Sequence, residues 1–318
     1  MDLFLPTLNQ MVFLFAFILI GFLLTKFRIV PKTAAGILAK LENWIFIPAL
    51  VLQTFMTNFT VSNLGVTWKL LAFGCAINVL VFPLSIFISH LVAKDRYTRN
   101  ICIYTLCFSN FGFMGNAVVG AIFPDILYEY IVFTLTLWIP IYVWGVPVLL
   151  SSDGAKKTVP QRIKAFVNPM FIGMLVGMVL GITGLGIRLP SSIASVISVS
   201  ASCMSPVAML LTGITVAEIN FKRTLKLASI YYVSIIRLLA YPLAAIGIFA
   251  LLRPLNIPDN YVVCAICALA MPTGLNTVVI PAAQDKDTSF ASGMALLSHV
   301  SSIITIPLIF MLLRTVIK

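Results

Sequence analysis

Apolar positions run along the chain in ten long stretches separated by short polar connections. A helix needs about 20 apolar residues to cross a bilayer, so each stretch predicts a membrane-spanning helix. Nothing is left over for a soluble domain, and we expect an all-α polytopic membrane protein. The predicted spans, numbered 1 to 10, cover residues 6–25, 37–57, 68–92, 100–122, 126–149, 168–187, 192–216, 228–252, 261–282 and 290–313.

Composition agrees with this pattern, because the chain is 60% hydrophobic and only 10% charged. The start, MDLFLPTLNQ, has no Lys or Arg ahead of its apolar run, so we expect span 1 to be retained rather than cleaved as a signal peptide. The six cysteines lie in or beside the spans, where packing is their usual role. Cys264 and Cys267 have a metal-ligand spacing but no accompanying His or Asp, so no metal site is expected.

The net charge of +11 indicates membrane orientation rather than a nucleic-acid partner, since the basic residues are scattered over short connections. One alternate set of connections carries fifteen of the 21 Lys and Arg, and the other set carries five. The connections with more Lys and Arg are predicted to face the cytoplasm. We therefore expect a multi-pass protein of the plasma (inner) membrane with both termini outside the cytoplasm. The fifteen are Lys26, Arg28, Lys32, Lys40, Lys94, Arg96, Arg99, Lys156, Lys157, Arg162, Lys164, Lys222, Arg223, Lys226 and Lys286.

Two halves of the chain resemble each other. The longest polar connection predicts a cytoplasmic linker over 151–165, between halves 1–150 and 166–318. Five landmarks recur at offsets of 158 to 160 residues: Asn9 with Asn168, Pro48 with Pro206, Pro83 with Pro242, Asn116 with Asn276, and Pro147 with Pro307. With five spans in each half, the second copy must enter the membrane from the opposite side. The pattern therefore predicts two inverted five-helix repeats.

Spans 4 and 9 contain residues that a regular helix avoids. Gly112 and Gly115 interrupt span 4, and Pro272 and Gly274 interrupt span 9. Broken backbone at membrane depth is tolerated where it is buried in protein or lines a cavity, and the N-terminal ends of half-helices favour an anion. Inverted repeats with paired broken helices are typical of secondary transporters with a site at the bilayer midplane.

Candidate substrate-binding residues follow from the two predicted breaks. They are Asn110, Gly112, Gly115 and Asn116 in span 4, and Pro272, Thr273, Gly274 and Asn276 in span 9. Asparagine side chains supply both donors and acceptors. Asn116 and Asn276 either cap the broken ends alone or both cap and bind the ligand.

Arg237 lies mid-span, where a charge is costly and usually faces the protein interior. It precedes Pro242 by five residues, as Asn78 precedes Pro83, so both are candidate site residues. Arg237 either offsets the charge of an anionic substrate or binds carbonyl groups freed by a broken helix, for which its five donors are suited.

The sequence gives fewer candidates for residues that would couple transport to an ion gradient. His299 in span 10 is a mid-span group that could titrate near neutral pH, although a lone His is more often a hydrogen-bonded packing residue. Glu42, Glu129 and Glu218 lie near predicted span ends, with Glu42 a second coupling candidate. Proton coupling, sodium coupling and uniport all stay open, and no cofactor is expected. Gly173, Gly177 and Gly181 predict a close-packing face, within one chain or in a homodimer.

The motifs SNFGFMGNAVV, MPTGLNTVVIPA, FIPALVLQTF and IIRLLAYPL resemble the auxin efflux carrier family, which includes bacterial malonate and malate carriers and plant PIN proteins and is related to the bile acid and sodium symporters. The resemblance implies inverted five-helix repeats, spans 4 and 9 crossing between a scaffold and a transport bundle, and elevator-type transport of organic anions. Asn110, Pro272 and Gly274 match family positions. Ala117 and Thr277 depart from the pattern, because relatives often have Pro there.

The expected function is secondary active transport of a small organic anion, such as a mono- or dicarboxylate, across a lipid bilayer. An enzyme is not expected, since no nucleophile with a base, aspartate pair or metal cluster lies within the spans. A sodium-coupled symporter of the bile-acid type is the nearest alternative, although a central carboxylate is lacking. A non-transporting receptor would leave the repeat and the paired breaks unexplained.

Overall fold

The computed structural model describes residues 4–31, 33–150, 169–217, 227–282, 286–314 and 317. The predicted linker 151–165, Asn168 and Glu218 lie outside these residues. Within them every regular element is a helix, and β-pairing is confined to one isolated bridge. The helices are α1 Phe4–Lys26, α2 Ala34–Asn58, α3 Val61–Val92, α4 Arg96–Cys107, α5 Phe111–Ile122, α6 Pro124–Leu150, α7 Pro169–Thr183, α8 Ser191–Ala217, α9 Ala228–Leu251, α10 Asp259–Ala270, α11 Asn276–Ala282 and α12 Ser289–Leu313.

In the described part of the chain, seven helices are long and apolar enough to cross a membrane: α1, α2, α3, α6, α8, α9 and α12. Three further apolar helices, α5, α7 and α10, are shorter. The expectation of an all-helical multi-pass protein is confirmed. Three predicted spans do not form one membrane-length helix. Spans 4 and 9 are each split into two helices, and α7 ends before Gly184, whose φ of +66° favours glycine.

One group of helices consists of α1, α2, α7 and α8, which pack extensively on one another. Gly173, Gly177 and Gly181 bring α7 against the backbone of α2, so that a Cβ at Gly177 would lie 2.8 Å from the Leu52 carbonyl oxygen. Side chains larger than hydrogen would force the helices apart. The predicted close-packing face therefore lies within the chain.

The second group places α3 against α4 and α6, and α9 against α10 and α12. Its centre is the most buried part of the molecule: every residue from Ile101 to Gly112 is buried, as is every residue from Tyr261 to Leu275. Large apolar side chains such as Trp44, Val79 and Ile304 are exposed on the outer surface, where a bilayer would cover them. Both interrupted spans thus run through the protein interior.

Candidate functional site

The interruption of span 4 lies between α4 and α5. The chain leaves the helix at Phe108, whose backbone is extended, and resumes with a π-helical turn over Phe111–Gly115. A Cβ at Gly112 would lie 2.8 Å from the Trp138 ring, and one at Gly115 would overlap the Tyr130 hydroxyl. These glycines permit the close approach of α6, and the Tyr130 hydroxyl donates to the Phe111 carbonyl at 3.2 Å.

The interruption of span 9 lies between α10 and α11. Met271 is extended and Pro272 has no N–H to donate, so the helix stops there. A Cβ at Gly274 would lie 3.1 Å from the Ser109 carbonyl oxygen, in the other interruption. Thr277 donates to the Gly274 carbonyl through its N–H at 3.2 Å and its hydroxyl at 2.7 Å, and a proline at that position would lose the first bond.

The two interruptions lie against each other. Ser109 and Thr273 form an antiparallel bridge, and the Asn110 N–H donates to the Pro272 carbonyl at 2.7 Å. The Ser109 hydroxyl also donates to the Ala268 carbonyl, at 2.7 Å, at the end of α10. Several backbone groups released by one break are therefore bonded by the other, which suits a membrane interior.

A small cavity, with room for about one water molecule in this conformation, lies where the breaks meet. Four predicted residues are on its wall: Asn110, Gly112, Gly274 and Asn276. The Asn276 side-chain amide donates to the Tyr104 hydroxyl at 3.1 Å. The wall is completed by Tyr104, Ser109, Phe111, Phe113, Trp138, Ile141 and Leu275.

The other four predicted residues of the breaks lie off this wall. Asn116 begins the α-helical part of α5, yet its side chain does not cap the helix, and its buried Oδ1 has no hydrogen-bond partner. The Thr273 N–H donates to the Ser298 hydroxyl at 3.2 Å, which ties the break to α12. Gly115 and Pro272 shape the backbone, through the approach of Tyr130 and the missing donor.

Arg237 joins the ends of both broken spans. Its side chain is 1% exposed and donates to three backbone carbonyls. The acceptors are Leu106 in α4 at 3.0 Å, Ala268 in α10 at 2.8 Å, and Met271 at 3.2 Å. Its geometry is that of the second alternative, in which the guanidinium binds carbonyls left by a broken helix.

Asn78 does not contact the breaks directly. Its amide donates to the backbone oxygen and the hydroxyl oxygen of Thr136, at 3.1 and 3.0 Å. Asn78 and Arg237 do share the wall of a separate small cavity between α3, α6, α9 and α10. The pair is thus close in space, but it lines this separate cavity and not the cavity where the two breaks meet.

The two coupling candidates differ in their surroundings. His299 is 1% exposed, with Nδ1 2.7 Å from the Ala295 carbonyl oxygen and Nε2 3.1 Å from the Asn110 amide nitrogen. Those partners fit a neutral ring protonated at Nδ1. The Glu42 side chain is fully buried. The residue lies within α2 rather than at a span end, because the helix begins at Ala34 and continues through a π-helical turn over Glu42–Phe46. Neither of its oxygens has a partner.

The match to a known family spans both interruptions. A family model described as membrane transport protein matches residues 6–310, nearly the whole chain. The chain belongs to this family. It is the auxin efflux carrier family, a family of transporters and not of enzymes, so the expected resemblance is confirmed. No curated protein matches the chain.

Seven residues on the wall of this cavity are absent from the sequence-based list of site residues. Ser109, Phe111, Phe113 and Leu275 lie within the quoted motifs, whereas Tyr104, Trp138 and Ile141 lie outside them. The last three belong to apolar spans in which aromatic and branched residues are common, so Tyr104 and Ile141 have no local signal. Two features do single out Trp138. Gly112 permits the close approach of a large side chain, and Trp138 lies two residues before Pro140, which distorts the helix.

Proposed function

We propose that this transporter is a secondary active carrier of a small organic anion, such as a mono- or dicarboxylate. The proposal includes two inverted five-helix repeats, over 1–150 and 166–318, and alternating access at the cavity between the interruptions. It depends most on one observation: two interrupted helices from opposite halves of the chain meet at a cavity lined by polar side chains.

The wall chemistry favours an anion over a cation. The first turn of α5 carries N–H groups that lack acceptors within the helix, and its dipole is positive at that end. The Asn110 and Asn276 amides and the Tyr104 hydroxyl add donors. The wall includes no Asp or Glu that would repel a carboxylate. Trp138, Phe111 and Phe113 would pack on the apolar part of the substrate.

An elevator movement is supported by the division of the helices. Helices α1, α2, α7 and α8 form a scaffold joined by close backbone contacts, whereas the cavity belongs to the second group. In this proposal the second group carries the substrate past the scaffold, chiefly along α1 and α8. Arg237 and the bridge at Ser109 hold the two interruptions together as one moving unit.

The orientation and coupling of the carrier also belong to the proposal. The distribution of basic residues over the short connections supports an orientation in the plasma membrane with both termini outside the cytoplasm. Glu42 is the group we propose for proton coupling, because it is buried without a partner while His299 has both ring nitrogens satisfied. A homodimer would use the outer surface, since the α7 glycines are already covered by α2.

The test is uptake of a panel of labelled carboxylates into proteoliposomes, with and without pH and sodium gradients. We expect uptake of at least one carboxylate, loss of that uptake in Asn110→Ala and Asn276→Ala, and stimulation by a pH gradient. Asn43→Ala is the matched control, because Asn43 is exposed and bonds only within its own helix turn.

Three results would contradict parts of the proposal. Transport of neutral or cationic solutes alone would exclude the anion. Full activity of both asparagine variants would exclude the cavity as the site. Dependence on sodium with no effect of pH would replace proton coupling by the sodium-coupled alternative.

A further inference from the structure

A second cavity lies between α9 and α12, away from the crossing of the interrupted spans. Its empty volume is about 460 Å³, counting the space through which it opens. Ile235 on one rim is 54% exposed, and Ile304, beside the other rim, is 63% exposed. In a membrane those side chains contact lipid, so the groove opens laterally to the hydrocarbon.

Two residues on the wall of this groove carry a hydroxyl group without a hydrogen-bond partner. The two groups are the buried Oγ of Ser234, a residue only 3% exposed, and the buried Oγ1 of Thr305. Serine and threonine within helices commonly bond the carbonyl four residues earlier, as Ser85 and Thr212 do here. An unmade bond on a buried hydroxyl costs about 1–3 kcal/mol. Two such groups on facing helices point to a ligand that satisfies them.

The remaining wall defines the chemistry of that ligand. Leu238 and Leu297 supply apolar surface, and the lining residues include no Lys, Arg, Asp, Glu or His. A charged group would be left unpaired at membrane depth, which is costly. A neutral hydroxyl or carbonyl group can instead bond Ser234 and Thr305 where no bulk water competes.

We propose that this groove binds an uncharged amphiphile dissolved in the bilayer, with a long apolar body and one hydroxyl or carbonyl group. Its polar group lies between Ser234 and Thr305, and its apolar body lies along the leucines and extends into the lipid. The same helix segments carry Arg237 and His299, which contact the interruptions from the protein side. Occupancy therefore stiffens the two helices that support the carrier's proposed site.

The test uses the full-length protein in lipid nanodiscs and a long-chain fatty alcohol with a diazirine in its alkyl chain. We expect photolabelling of peptides from α9 and α12, competition by the unlabelled alcohol, and weaker labelling by the matched alkane probe. Each hydroxyl contributes about 1 kcal/mol, so Ser234→Ala and Thr305→Val should each lower alcohol labelling roughly fivefold. Ser202→Ala is the control, because Ser202 is exposed on α8 and bonds the Val199 carbonyl.

Equal labelling by the alkane, or labelling unchanged in both single variants, would overturn the proposal and leave acyl chains or water as occupants. Size exclusion and the unfolding temperature would show whether each variant is folded. If the alanine or valine variant does not fold, Ile235→Trp at the exposed rim replaces it. That variant should exclude the alcohol by filling the groove, and retained labelling there would contradict the proposal. These results do not depend on whether the carrier moves organic anions.

Discussion

At the scale of single residues, the most informative side chain is Arg237. Its guanidinium is fully enclosed and bonds carbonyls from both broken spans, so its fixed fork of donors matters as well as its charge. A lysine would keep the charge but could not reach three acceptors in one plane. Substitution by lysine therefore separates a structural role from simple charge compensation.

We expect Arg237→Lys to be destabilised by about 2–5 kcal/mol, since each buried carbonyl left unbonded costs about 1–3 kcal/mol. The measurement is thermal unfolding of the purified protein in detergent, together with carboxylate uptake. Arg253→Lys, at an exposed turn, should behave as wild type. A stable and fully active Arg237→Lys would show that charge alone is needed.

The glycines of α5 allow a matched comparison. Gly115→Ala would overlap the Tyr130 hydroxyl, so we expect a loss of about 1–3 kcal/mol and reduced uptake. Gly120→Ala, five residues later in the same helix, meets only an ordinary contact with Leu127 at 3.4 Å and should be neutral or stabilising. Equal unfolding temperatures for the two variants would contradict the role given to Tyr130.

Glu42 can be tested by removing its carboxyl group while keeping its length. A buried carboxylate without a partner does not stabilise its site, so Glu42→Met should unfold at the wild-type temperature or above it. If Glu42 carries the coupling proton, the same variant loses the stimulation of uptake by a pH gradient. Glu129→Met, at the start of α6, should retain that stimulation. Retained stimulation in Glu42→Met would move coupling elsewhere.

At the scale of elements, the close contact between α7 and α2 joins two helices of the proposed scaffold. The carbonyls of Pro48, Leu52 and Phe55 all lie within 2.8 Å of where a glycine Cβ would be. Gly177→Ala should lower the unfolding temperature, through overpacking of about 1–3 kcal/mol. Gly247→Ala is the control, since nothing lies within 4 Å of its added methyl group. If Gly177→Ala changed only the oligomeric state, the face would serve between protomers instead.

The positions of the two interruptions could be predicted from the sequence, but their hydrogen-bond partners could not. Gly112, Gly115, Pro272 and Gly274 indicated where spans 4 and 9 would break, because backbone chemistry is local. The partners of the freed backbone groups were not predictable. Ala268, for example, accepts from residues 159 and 31 positions away, and such pairs depend on tertiary packing.

Hydropathy also could not tell which face of a span is buried. It placed Glu42 near a span end, whereas the structure encloses it inside α2. It likewise gave no reason to separate Trp138 from the other aromatic residues of its span. Glu42 was misplaced because hydropathy locates a helix end only to within a few residues. Trp138 was not singled out because the lipid-facing and protein-facing sides of a membrane helix are similarly apolar, so periodicity carries little information.

At the scale of the whole molecule, a group of four packed helices adjoins a second group that contains both interruptions. The family is established for nearly the whole chain, and transport follows from it. The substrate cavity and its preference for anions are the central claim. They depend on donors from α5, Asn110 and Asn276 converging on one space.

The most direct test is uptake of the best carboxylate of the panel by Asn276→Asp in proteoliposomes. The substitution changes little in size but adds a negative charge to the cavity wall, and like charges repel strongly at low dielectric. We predict at least a tenfold loss of uptake with an unchanged unfolding temperature, while Asn43→Asp stays fully active. Wild-type uptake by Asn276→Asp would show that the anion does not pass this cavity.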